Sequence, residues 1–182
     1  CKIMRGMYPD LPLVGIEPAV KPAAQNHRGE KVAVMATPLT LHEEKFKQLV
    51  KRYENLATII PVPCPDLVEY VEKGILEGPE LEGYLKDVLT PCLQEGVKAV
   101  VLGCTHFPLV KAAIGKVVGE SVRIYDGGEG TARQAKCLLA AKNLCTDQEK
   151  GHICFESSAP EKEAYYEALY RKAAHIDSRV KL

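Results

Sequence analysis

The sequence predicts an α/β fold, a parallel sheet flanked by helices, and three observations carry that expectation. Short apolar runs, of which residues 98–102 (Lys-Ala-Val-Val-Leu) are the clearest, carry β-branched and small side chains without polar alternation, as in strands buried on both faces. The runs alternate with segments whose apolar residues recur at helical spacing, the layout of a helix-covered sheet. Several runs empty into turns opened by Gly, Pro or Thr, at the strand end where open α/β sheets hold their ligands.

The elements follow in order. Residues 2–8 read as the end of a helix, and residues 9–12, Pro-Asp-Leu-Pro, as a connector too rich in proline to continue one. Residues 13–16 read as a short buried strand that empties into residues 17–23, a polar turn with two prolines. Residues 31–36 form a second strand. Thr40 and Glu43 have capping-box spacing, which predicts that Thr40 opens a helix with Phe46, Leu49, Val50 and Tyr53 on its apolar face. A third strand, residues 58–62, leads to a helix over 67–73 that Gly74 ends. A longer helix spans 80–94 with Leu81, Leu85, Val88 and Leu89 facing inward, and Pro91 is expected to kink or shorten it. Gly96 separates that helix from the strand ending at Leu102. From Pro108 a helix is carried by Leu109, Ala112, Ala113 and Val117, with proline at a first position that suits it. Residues 122–125 form a strand, 131–141 a helix, 143–151 a polar linker, and 152–155 a last strand. A helix over 160–174 places Tyr165, Leu169 and Ala173 on one side. The strands around Leu13, Val32, Ile59 and Val100 are expected to make one unit. The segments after about Ser121 find no apolar partner there and read as a second layer or domain.

At 182 residues the chain can bury a substantial core. Its 24 Lys and Arg balance 24 Asp and Glu, so no electrostatic footprint for nucleic acid or an acidic membrane is visible. Seven cysteines, at 1, 64, 92, 104, 137, 145 and 154, include no C-x-x-C pair, which argues against a disulfide framework or zinc ribbon and for a reduced, cytoplasmic setting. No run has the length of a membrane span and no signal-peptide layout opens the sequence. The first residue is not Met and the opening reads as the tail of a helix, so the chain is expected to begin partway through a larger protein. Gly127-Gly128-x-Gly130 is too irregular for a nucleotide fingerprint, and nothing matches a P-loop.

The chemistry concentrates at residues 104–106. Cys104, Thr105 and His106 sit on a tight strand-to-helix turn, delivering a thiol, a hydroxyl and an imidazole to one crevice. A free thiol titrates at about 8.5, so a thiolate needs a nearby cation or base, and His106 lies two residues away. A cysteine at a strand end also serves as a small buried hydrophobe, and an isolated histidine as a satisfied core residue. Cys64, Cys92, Cys137, Cys145 and Cys154 read as structural or incidental.

Two stretches carry a family resemblance. Gly15-Ile16-Glu17-Pro18-Ala19-Val20-Lys21-Pro22-Ala23 and Leu102-Gly103-Cys104-Thr105-His106-Phe107-Pro108-Leu109 together resemble the glutamate racemase family, cofactor-independent enzymes that supply D-glutamate for bacterial peptidoglycan. Lesser matches are Thr37-x-x-Thr40, Cys64-Pro65 with Glu72 on the following helix, and Tyr125-Asp126-Gly127. The similarity covers essentially the whole chain. Ala36 replaces a frequent Gly and Phe107 a frequent Tyr. The family's Asp-Ser-Gly, Pro-Tyr-Gly and Cys-Asn-Thr motifs are absent from the sequence, and Cys1 lacks the Asn-Thr sequel.

The resemblance implies one complete domain plus the C-terminal part of a second similar domain. Residues 1–12 would be the remnant of a first-domain helix and connector, 13–121 the second domain, and 122–182 a segment crossing back to the first. It implies that two cysteines flank the α-carbon of glutamate, Cys104 being one of them, with His106 relaying its proton or steadying the thiolate. Thr37, Thr40 and Thr105, with the backbone N–H groups opening the following helix, are expected to hold substrate carboxylates. Glu72 is expected near the site, acting on His106 or on the substrate ammonium. No cofactor and no metal are implied, and glutamate is favoured over aspartate or hydantoin by the stretch at 17–23. Thr40 has a capping explanation as well, and Glu72 on a helix is ordinarily just solvated. A homodimer is left open. A chain that supplies one of the two catalytic cysteines is expected not to racemise alone, and uncovered apolar surface is expected to bring self-association or disorder after Ser121. Two other readings stand beside this one: a thiol-dependent hydrolase or transferase with Cys104 as nucleophile and His106 as base, and a fragment that only binds glutamate or a partner protein.

Overall fold

The computed structural model describes residues 2–146 and 152–179. Cys1, residues 147–151 of the expected linker, and residues 180–182 lie outside the described residues, as does the side chain of Ala173. In chain order the elements are α1 (Lys2–Met7), α2 (Val20–Asn26), β1 (Lys31–Ala36), α3 (Pro38–His42), α4 (Glu44–Tyr53), β2 (Thr58–Pro63), α5 (Leu67–Glu72) and α6 (Pro79–Gln94). They continue with β3 (Ala99–Leu102), a 3₁₀ turn (Phe107–Val110), α7 (Lys111–Val118), β4 (Arg123–Tyr125), α8 (Gly128–Ala141), a second 3₁₀ turn (Pro160–Lys162) and α9 (Glu163–Arg179). The described residues fall into two compact units, one from within 1–17 and 127–154, the other from within 18–126 and 155–182.

The larger unit is built on a four-stranded sheet of order β2-β1-β3-β4, parallel throughout. Its central strands show why the sequence lacks alternation. Val32 and Val34 of β1 and Ala99 and Val101 of β3 enter one apolar cluster with Val20, Ala23, Phe46 and Leu49 of α2 and α4. Ala33 and Met35, with Val100 and Leu102, enter the opposite and larger cluster with residues of α5, α6, α7 and α9. Successive side chains alternate faces, and both faces are covered.

Several sequence expectations need correction. Residues 13–16 are not a strand, and Ile16 is half exposed. The fourth strand is β4, which pairs with β3 in the register Val101↔Tyr125, so residues 123–125 complete the first sheet rather than opening a second layer. Residues 17–23 are only partly a turn: α2 begins at Val20, and Pro22 is tolerated because it falls in a first helical turn, where an N–H has no intrahelical acceptor. Thr40 does not open the long helix. Thr37 is the N-cap of the one-turn α3, Pro38 takes its first position, and α4 starts only at Glu44. Helix α6 runs through Pro91 to Gln94, so that proline does not shorten it. Residues 152–155 form no strand. Helix α9 was expected outside this unit, yet its Leu169 is 8% exposed and packs in the larger cluster, with Tyr166 against it.

The smaller unit holds α1 and α8. Its described residues include no buried apolar side chain, and Ile3, Met7 and Leu144 are 79%, 62% and 55% exposed. Arg5 donates to the Leu13 carbonyl (3.1 Å) and Lys142 to that of Asp10 (2.9 Å). Among the described residues no helix is long and apolar enough to cross a membrane.

Candidate active site

The sheet order creates the site. From β1 the chain leaves to α3 and α4, whose packing face carries the smaller cluster, while β3 leaves to α7 on the face of the larger one. In a 2-1-3-4 order the crevice between the carboxyl ends of β1 and β3 is the topological switch point, where doubly wound sheets bind ligands. The register Met35↔Leu102 sets the exits of the two strands side by side.

At the β1 exit, Thr37 Oγ1 accepts the backbone N–H of Thr40 (3.3 Å) and lies 3.0 Å from Thr40 Oγ1. Both threonines are half-buried. At the β3 exit, Gly103 donates its N–H to the Met35 carbonyl (2.8 Å). A Cβ on Gly103 would stand 2.7 Å from that same oxygen, so only glycine lets the turn lie this close to β1. Phe107, fully buried, pins the far side of the turn and closes it with an N–H to the Cys104 carbonyl (3.2 Å). Cys104 and His106 are half-buried between these two anchors, and Thr105 is exposed.

Cys104, His106 and Glu72 form a line. Cys104 Sγ is 3.8 Å from His106 Nδ1, and His106 Nε2 is 2.9 Å from Glu72 Oε1. The imidazole and the carboxylate are 32% and 37% exposed, open enough to meet a solute. Glu72 is held by α5, whose Leu67 and Val71 are buried. A carboxylate only accepts, so Nε2–H donates to Glu72, and Nδ1 keeps its lone pair for the thiol. The expected residues thus fall into a joined trio, Cys104, His106 and Glu72, a joined pair, Thr37 and Thr40, and an exposed Thr105.

Other cysteines differ in environment. Cys64, at the β2 exit, is fully buried with its N–H on the Ala36 carbonyl (2.9 Å). Burial, reinforced by Cys92 and more weakly by Cys104, pushes its thiol up to about 12. Burial also raises the thiol of Cys92. Both stay protonated near neutral pH, whereas Cys104 has an imidazole beside it.

Two features escaped the sequence reading. Lys111 at the start of α7 pairs with Asp126 at the β4 exit (3.0 Å). The hydroxyl of Tyr165 in α9 donates to the backbone carbonyl of Glu72. Each joins residues that no local spacing relates, so only the folded topology reveals them. Among the described residues no group of three or more His, Cys, Asp or Glu could hold a metal ion.

The fold is of the doubly wound α/β class, and a thiol, an imidazole and a carboxylate lie in line at its switch point. The chain belongs to the Asp/Glu/Hydantoin racemase family, which residues 4–135 match. Glutamate racemase of Clostridium perfringens (strain ATCC 13124) is 43% identical over 160 residues, 87% of this chain and 62% of that protein. Glutamate racemase of Clostridium kluyveri is 48% identical over 140 residues, 77% of this chain and 54% of that protein. The chain thus spans about three fifths of the length of these curated relatives. Escherichia coli glutamate racemase, solved with L-glutamate and the activator UDP-MurNAc-ala, superposes with a TM-score of 0.73 at 28% identity, over 93% of this chain and 65% of that one. Thermus thermophilus glutamate racemase in complex with beta-chloro-D-alanine gives 0.64 at 28% identity, over 92% and 61%.

Proposed function

We propose that this chain is the C-terminal portion of a cofactor-independent glutamate racemase that supplies D-glutamate for peptidoglycan, with Cys104 as one of two thiols working at the α-carbon. The line from Glu72 through His106 to Cys104, beside the threonine pair at the switch point, is the observation that carries the reading. Membership of the family and the relatives' names support it.

The chemistry follows from the donors. His106 Nδ1 accepts the Cys104 thiol proton, leaving a thiolate, and Glu72 stabilises the resulting imidazolium through Nε2–H. The thiolate then takes the α-proton of glutamate, forming S–H again, while the electron pair passes into the α-carboxylate. Hydroxyls of Thr37, Thr40 and Thr105 hold the substrate carboxylates. A second thiol returns a proton to the opposite face. On this reading that thiol lies in the Cys-Asn-Thr motif that the resemblance implies and that this sequence does not contain.

The test is D-glutamate formation from L-glutamate in ²H₂O, with deuterium at the α-carbon read by NMR. The chain by itself gives neither product at the rate of an intact racemase. Turnover at such a rate, unchanged in Cys104→Ala, would contradict both the one-sided reading and the role of Cys104.

A further inference from the structure

We infer that Tyr165 and Lys172 of α9 are positioning residues for the Cys104–His106 pair, acting through the carboxyl end of α5. The inference rests on the reading of that pair as the reacting groups.

Helix α5 is six residues long and stops at Glu72, with Gly74 at φ +71° turning the chain away. The last carbonyls of a helix have no intrahelical donors. The N–H groups of Lys73, Gly74 and Ile75 meet the Glu69, Val71 and Tyr70 carbonyls, while α9, from a distant part of the sequence, supplies donors to the Glu72 carbonyl and, two residues past the helix, to that of Gly74. The Tyr165 hydroxyl donates to the Glu72 carbonyl, and the Lys172 ammonium donates to the Gly74 carbonyl at 2.5 Å. Lysine is a favoured partner for carbonyls at a helix carboxyl end. Residues 165, 169 and 172 recur at i, i+4 and i+7, so they share one face of α9. Leu169 on that face is buried in the larger apolar cluster, which fixes the helix and with it the two donors.

The backbone that α9 grips is the backbone that carries the carboxylate. Glu72 Oε1 in turn sets which imidazole nitrogen of His106 bears hydrogen, leaving Nδ1 to face Cys104. Loosening the carboxyl end of α5 therefore relaxes the imidazole and slows the thiol, although neither Tyr165 nor Lys172 touches the reacting groups.

The experiment uses the full chain with ¹⁵N-labelled histidine. The resonances of His106 among the five histidines are assigned with a His106→Gln variant. In the unsubstituted chain His106 shows one protonated and one unprotonated nitrogen, as the Nε2–H form requires. In Tyr165→Phe, which removes only the hydroxyl, the two shifts move towards each other. Alkylation of Cys104 by iodoacetamide, followed by peptide mass, then falls by about threefold, the size of one lost hydrogen bond, while exposed Cys154 is unaffected. Lys172→Met moves both readouts the same way, and it decides alone should Tyr165→Phe fail to fold, because the Lys172 side chain is exposed. If both folded variants keep the original ¹⁵N pattern and rate while Glu72→Gln changes them, the inference is overturned and the proposed function stands. If Glu72→Gln changes nothing either, the reading of Glu72 and His106 falls as well.

Discussion

Cys104 and Cys64 both follow parallel strands, and what separates them is surroundings. Cys64 is sealed among apolar side chains and its thiol is raised to about 12, whereas Cys104 is half-buried with an imidazole 3.8 Å from its sulfur. Iodoacetamide at neutral pH should therefore label Cys104 well before Cys64 or Cys92 in the folded chain, as peptide mass would read. Glu72→Gln keeps the size of the side chain but removes the charge that favours an imidazolium, so labelling of Cys104 should slow by about fivefold. The pairing of sulfur and ring was legible in the sequence because residues 104 and 106 share one turn. The Glu72 contact spans 34 positions, and the motif placed Glu72 near the site without saying which group it meets.

At the scale of elements, the close approach of the two strand exits at the site depends on one residue. Gly103 permits the approach of the β3 exit to β1, and Gly103→Ala drives a methyl group against the Met35 carbonyl at 2.7 Å. We expect a loss of about 3 kcal/mol in urea unfolding, at the upper end of overpacking costs because the obstacle is backbone. Strands β1 and β3 were readable from their unbroken apolar character. Residues 13–16 have the same character yet make no strand, because the place beside β3 is filled by residues 123–125. Composition cannot tell two short apolar runs apart when only one can occupy a sheet edge. Helix α2 was missed for a related reason: Pro18 and Pro22 look like breakers, but Pro22 sits in the first turn, and Val20, Ala23 and Ala24 bury a helical face.

Across the whole molecule, buried acids that stay protonated tie stability to pH. Burial raises Cys64 and Tyr84 to about 12, and it raises Cys92 as well. The unfolded chain loses these protons first, so above about pH 9 it binds fewer protons than the folded chain and stability falls as pH rises. Cys64, the most deeply buried of these groups, contributes to that fall from its unfolded value up to its folded one. Urea midpoints measured from pH 8 to 11 should drop accordingly, and Cys64→Ala should flatten the curve. Whether Cys104 is the thiol that meets substrate is read from the rate at which it is alkylated with and without L-glutamate. Glutamate should slow this rate, aspartate should slow it less, and His106→Gln should lower it without any ligand. A rate indifferent to glutamate and unchanged in His106→Gln would rule out the proposed role of Cys104.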